Sequence, residues 1–109
     1  MAGFQGVEVE ENRQIPIEKN GLAINAKPNP FNTSITITYQ LAKPAKVECR
    51  IFDASGREIK TLVSSQADKG LHRIIWNGKD NNNERVNAGV YFLRIITEQE
   101  QTQTKLIML

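Results

Sequence analysis

The sequence predicts an all-β fold, an antiparallel sandwich of the immunoglobulin-like kind with about seven short strands. Three observations carry that expectation. Apolar residues recur at every second position in several runs, clusters of turn residues separate the runs, and none of the 109 residues falls in a stretch with helical period.

Residues 1–21 show no sustained period. Val7-Glu8-Val9-Glu10-Glu11 is acidic and Gln14-Ile15-Pro16-Ile17 is broken by proline, so this part reads as a largely flexible linker with room for a short edge strand at Ile15–Ile17. The folded part is expected to run from Leu22 to Leu109. Its lead-in, Pro28-Asn29-Pro30-Phe31-Asn32, cannot be helix or central strand, because each proline lacks an N–H and drives its predecessor toward extended backbone.

Ile35, Ile37, Tyr39 and Leu41 then alternate with Thr36, Thr38 and Gln40, the mark of a half-buried strand. After a turn at Ala42-Lys43-Pro44-Ala45, Val47, Cys49 and Ile51 alternate with Lys46, Glu48 and Arg50 in the same way. Asp53-Ala54-Ser55-Gly56 closes a hairpin, since Asp can accept backbone N–H groups ahead of it and Gly can take positive φ; the return runs through Ile59 to Val63. From Gly70, His72, Ile74 and Trp76 share one face and Leu71, Arg73 and Ile75 the other, until Asn77-Gly78 ends the run. A polar loop over residues 79–87 precedes a strand at Gly89–Thr97, and a last strand covers about Thr102–Leu109. The predicted core is Ile35, Ile37, Tyr39, Val47, Cys49, Ile51, Ile74, Trp76, Leu93 and Ile95. Trp76 is the side chain large enough to plug its middle, and Tyr91 is placed for the corner role that such sandwiches give a tyrosine.

Composition excludes several function classes. With 39% hydrophobic and 24% charged residues the chain is an ordinary globular sequence, and a net charge of +2 from 14 basic and 12 acidic residues selects neither nucleic acid nor an anionic membrane. Cys49 is the single cysteine and cannot form an intrachain disulfide; among apolar neighbours at two-residue spacing it reads as a small buried hydrophobe. His72 is the single histidine, and no Ser, Cys or carboxylate stands at a spacing that defines a triad, so no residue is assigned to catalysis or to a cofactor. Asn77, Asp80, Asn82 and Glu84 gather oxygen ligands in one loop, with Asp80, Asn82 and Glu84 the candidates for a hard cation such as Ca²⁺. Two carboxylates and no calcium-loop glycine favour a solvated loop held by its own Asn and Asp side chains.

The motifs taken together resemble a known family. Asn29-Pro30-Phe31-Asn32, Tyr39-Gln40-Leu41, Ile51-Phe52-Asp53 with Gly56, Gly70-Leu71-His72 leading to Trp76-Asn77-Gly78, Gly89-Val90-Tyr91 and Lys105-Leu106-Ile107-Met108-Leu109 occur in the order seen in the type A C-terminal sorting domain of the type IX (Por) secretion system. The framework is also similar to the immunoglobulin-like domain of the flagellar hook-capping protein. The resemblance covers roughly residues 22–109, with Asn77 where that family more often has Asp and Thr33 where it often has Pro.

The resemblance implies a non-catalytic address at the end of a cargo protein. The cargo would cross the periplasm to the cell surface or be secreted, with an outer-membrane translocon and a sortase-like peptidase as partners and a cargo domain upstream in the same chain. Met1-Ala2-Gly3 reads as a start placed on a fragment, so an export signal is expected on the missing N-terminal part. The resemblance assigns recognition to Asn29, Pro30, Phe31, Asn32, Gly89, Tyr91, Lys105, Leu106, Ile107, Met108 and Leu109. The address itself is expected near Lys105, on a final strand whose open edge another protein could read, and the same edges leave room for a weak homodimer. The rival is a structural or carbohydrate-binding module on the same fold. A sugar-stacking strip would have to be assembled from Phe31, Phe52 and Phe92, which the period-two count does not obviously align.

Overall fold

Alternation gives most of the strands one apolar face, and two such faced sheets bury each other. The computed structural model describes residues 22–109, so the linker and the edge strand expected at Ile15–Ile17 lie outside the described residues. Seven strands form: β1 (Leu22–Lys27), β2 (Ile35–Leu41), β3 (Ala45–Asp53), β4 (Glu58–Ala67), β5 (Gly70–Trp76), β6 (Gly89–Ile96) and β7 (Gln101–Met108). One sheet has the order β1-β2-β5 and the other β4-β3-β6-β7, with every neighbouring pair antiparallel.

Two strands differ from expectation. β1 lies in a segment where the sequence shows only the onset of period two, and it is fixed by pairing with β2 from Leu22↔Leu41 to Lys27↔Thr36. The return strand of the first hairpin continues past Val63 to Ala67, where Ala67 pairs Ala45; Ser64, Ser65 and Gln66 have no apolar signal because they are exposed on the edge of the sheet. That pairing shifts register between Cys49 and Arg50 and again between Ile51 and Phe52.

Ile35, Ile37, Tyr39, Val47, Cys49, Ile51, Trp76, Leu93 and Ile95 are buried between the sheets. Ile74 corrects the expected core: it is half-buried and packs against the rim, since β5 is the edge of its sheet and Ile74 has a neighbouring strand only on the side of Ile37. Leu22, Phe31, Leu106 and Met108 join the core instead. Each such fully buried apolar side chain contributes about 1.5–3 kcal/mol relative to exposure. Burial pushes the Cys49 thiol up to about 12, so the sulfur stays protonated and acts as packing. The Tyr39 hydroxyl, desolvated and next to Cys49, also rises to about 12.

Candidate functional site: a strap across the terminal strand

After β1 the chain leaves its own sheet and crosses to the other. Both proline bonds of the crossing, Lys27-Pro28 and Asn29-Pro30, are cis. Pro28 and Pro30 have no N–H to offer, so the segment cannot pair as a regular strand. It is fastened to the outer edge of β7 by two residues. The Asn29 side chain donates from Nδ2 to the Lys105 carbonyl at 2.9 Å and accepts the Ile107 N–H on Oδ1 at 2.9 Å. Phe31 then forms a parallel bridge with Met108: its N–H donates to the Ile107 carbonyl at 2.9 Å and its carbonyl accepts the Leu109 N–H at 2.8 Å. Asn29–Phe31 is therefore a strap on the terminal strand, which corrects the expectation of an open edge near Lys105. A chain that changes sheets at a bend is a recurrent way to close the side of a sandwich.

An aromatic cluster holds the strap from inside. The Phe31 ring, 1% exposed, lies 5.6 Å from the Trp76 ring centre, and Trp76 meets Tyr91 edge-on at 5.5 Å. Such pairs add about 0.5–1.5 kcal/mol beyond the area they bury. Trp76 donates its indole N–H to the Lys79 carbonyl at 2.9 Å, and Tyr91 donates its hydroxyl to the Asn87 carbonyl at 2.5 Å, the tyrosine corner of this architecture. Burial, and then the Asp53 carboxylate, raises the Tyr91 hydroxyl above its ordinary value.

Arg85 holds the strap from outside and is the residue that sequence reasoning missed. Its guanidinium donates to the Asn32 carbonyl, to Asn77 O at 2.9 Å and to Thr33 O at 3.4 Å, joining the polar loop to the far end of the strap. It lies over Gly78, whose backbone at φ +76° is left-handed and buried; a Cβ there would sit 2.9 Å from the guanidinium and 3.0 Å from the Met108 methyl. Asn77-Gly78 was a legible turn signal, but nothing local to Arg85 marks it.

The remaining predicted residues fall into three places. Pro30, Asn32, Gly89, Lys105 and Leu109 are exposed, Ile107 is half-buried, and Leu106 and Met108 point into the core. The Asp80, Asn82 and Glu84 loop is tied to itself: Asp80 Oδ1 accepts the N–H of Asn82 at 2.9 Å and of Glu84 at 3.0 Å, and Asn83 takes φ 65°. The Asp53 loop uses the same device, with Oδ1 accepting from Ser55 N, Ser55 Oγ and Arg57 N. Among the described residues no cluster of three or more His, Cys, Asp or Glu could hold a metal ion. The strip of phenylalanines divides, because Phe31 is buried while Phe52 and Phe92 pair directly across β3 and β6. The Arg94 guanidinium lies 4.2 Å over the Phe52 ring, on a face a sugar would need for stacking. His72 stacks on Tyr39 at 5.2 Å, with Nε2 2.7 Å from Asp68 O.

Comparison with known proteins adds a family and a fold. Residues 29–101 match the FlgD Ig-like domain. No curated protein matches the chain. Among solved structures, FlgD of Xanthomonas campestris, described for hook capping in flagellar assembly, superposes with a TM-score of 0.55 at 24% identity, over 77% of this chain and 60% of that one. PorZ of Porphyromonas gingivalis, described as an essential surface component of the type IX secretion system, gives a TM-score of 0.55 at 19% identity, over 79% of this chain and 11% of that one. The chain thus spans less than two thirds of either relative.

Proposed function

The chain belongs to the FlgD Ig-like domain family, a structural β-sandwich, and from that premise we propose that it is a non-catalytic sorting module at the C-terminal end of a larger cargo protein. The observation that carries this reading is the strap. Asn29 and Phe31, in the crossing that follows β1, are hydrogen-bonded to Lys105, Ile107 and Leu109 in and just after β7. Of the residues to which the sorting resemblance assigns recognition, the exposed Asn29 and Pro30 therefore lie against the exposed Lys105 and Leu109, while Phe31, Leu106 and Met108 beneath them are core. A receptor on the outer-membrane translocon would meet strap and terminal strand together, and a sortase-like peptidase would act upstream of them. The PorZ likeness supports the setting, since a component of a type IX system carries this fold. Cys49, held protonated in the core, and His72, stacked on Tyr39, have structural duties.

Deleting Lys105–Leu109 from the full-length parent tests the proposal. The cargo is expected to accumulate in the periplasm, read by fractionation and surface labelling. Normal surface delivery of the truncated protein would sink the sorting role.

A further inference from the structure

We infer that the Asn29 carboxamide is a displaceable stand-in for a strand, and that the β7 edge from Gln101 to Ile107 takes up an extended segment of a partner polypeptide by strand addition. This deepens the sorting proposal and rests on it for the partner's identity. The pairing chemistry stands on the edge itself.

A carboxamide and a peptide unit present the same donor and acceptor. Asn29 satisfies the Lys105 carbonyl and the Ile107 N–H, at 2.9 Å each, as the N–H and C=O of one residue in a parallel neighbouring strand would, and as the Phe31 backbone does two residues further on. In an antiparallel pair the residues of an edge strand turn their N–H and C=O alternately inward and outward. Lys105, Ile107 and Leu109 point outward to the strap, so Gln101 and Gln103 also point outward, and among the described residues no backbone bond reaches their outer side. β7 keeps unbroken register with β6 from Gly89↔Met108 to Ile96↔Gln101, which makes it a regular template. A side-chain amide thus covers part of an edge that is otherwise ready for a strand.

The strap also sets where the added strand stops. Phe31 is fully buried and bonded through its backbone, so it stays; the exposed Asn29 side chain can rotate away. The incoming segment replaces both Asn29 bonds and adds those at Gln101 and Gln103. Lys105 is exposed and lies outside every ion pair of the described residues, which favours a segment with a carboxylate opposite it.

The test uses the 109-residue chain and, as probe, a synthetic peptide of Gln101–Leu109 carrying Lys105→Glu. Asn29→Ala is expected to bind the peptide about tenfold tighter than the unmodified chain in fluorescence polarisation, the loss of one competing charge-free bond pair. Amide shifts should fall on Gln101, Gln103, Lys105 and Ile107 and spare Leu109. Should Asn29→Ala fold poorly, Asn29→Asp keeps the acceptor for Ile107 and loses the donor to Lys105, and it should bind with intermediate affinity. Equal affinity across the variants, no binding by any, or shifts elsewhere would overturn the inference. A dimer of Asn29→Ala without peptide would overturn the partner assignment in favour of a second copy. Peptide capture together with normal delivery of the Lys105–Leu109 deletion would remove the sorting proposal alone; failed capture with lost delivery would remove this inference alone.

Discussion

The two edge strands of the four-stranded sheet, β4 and β7, meet the same hazard by different means. An edge presents unpaired N–H and C=O groups that invite other chains. β4 is irregular: its pairing with β3 shifts register twice, and Asn81 bridges it to the polar loop by accepting the Thr61 N–H on its side chain and donating its own N–H to Ile59 O. β7 is regular through its whole length, and its edge from Lys105 onward is covered from outside by Asn29 and Phe31. Irregularity spoils an edge as a template permanently, whereas the strap leaves β7 regular beneath it, with the Asn29 side chain as its one displaceable part.

Removing the strap's anchor should break this contrast most severely. Phe31→Ala empties a site that is 1% exposed and is expected to cost about 3–5 kcal/mol in chemical denaturation, with the Leu109 amide exchanging fast while Val63 on the β4 side stays protected. Unchanged exchange at Leu109 would mean that Phe31 does not hold the strap. Gly78→Ala attacks the cover from outside, because its Cβ would enter left-handed backbone 2.9 Å from the Arg85 guanidinium and 3.0 Å from Met108. A loss of about 1–3 kcal/mol is expected in thermal melts, and neutrality would show that Arg85 can swing clear without loss.

The smallest effect sharpens the comparison from the β4 side. The Ser55 hydroxyl, followed by the backbone of Arg57, holds the Asp53 carboxyl below its usual value. A carboxylate whose folded value is depressed stabilises the fold at pH above its unfolded value, near 4, and that stabilisation disappears as pH falls through the folded value. Asp53→Asn should therefore flatten the acid limb of stability below about pH 4. Protection at Leu109 should follow the same pH course in both proteins. A change there would couple the two edges.

Much of the fold was legible because it is local. The alternation of Ile35 to Leu41, the run from Gly70 to Trp76 and the late strand from Gly89 coincide with β2, β5 and β6 to within a residue. The two Asp-led turns were legible for the same reason, since a carboxylate accepting N–H groups two and four residues ahead is a short-range event. Ile74 misled because alternation reports a face and not the distance from a sheet's margin. The Ser64–Ala67 part of β4 had no apolar pattern to show.

The site was legible only in pieces. Asn29-Pro30-Phe31 stood out as a stiff lead-in, and Lys105–Leu109 as an apolar final strand, but their union did not. The bonds from Asn29 span 76 and 78 residues, and the Arg85 bond to Asn32 spans 53. By itself the sequence determined that this chain makes antiparallel strands with one apolar face, because the period of two and the turn residues act between near neighbours. Only the tertiary structure decided that Phe31 is core, that Arg85 matters and that the edge from Lys105 to Leu109 is covered, because those contacts exist only after two sheets have packed and brought Asn29–Phe31 against the last strand.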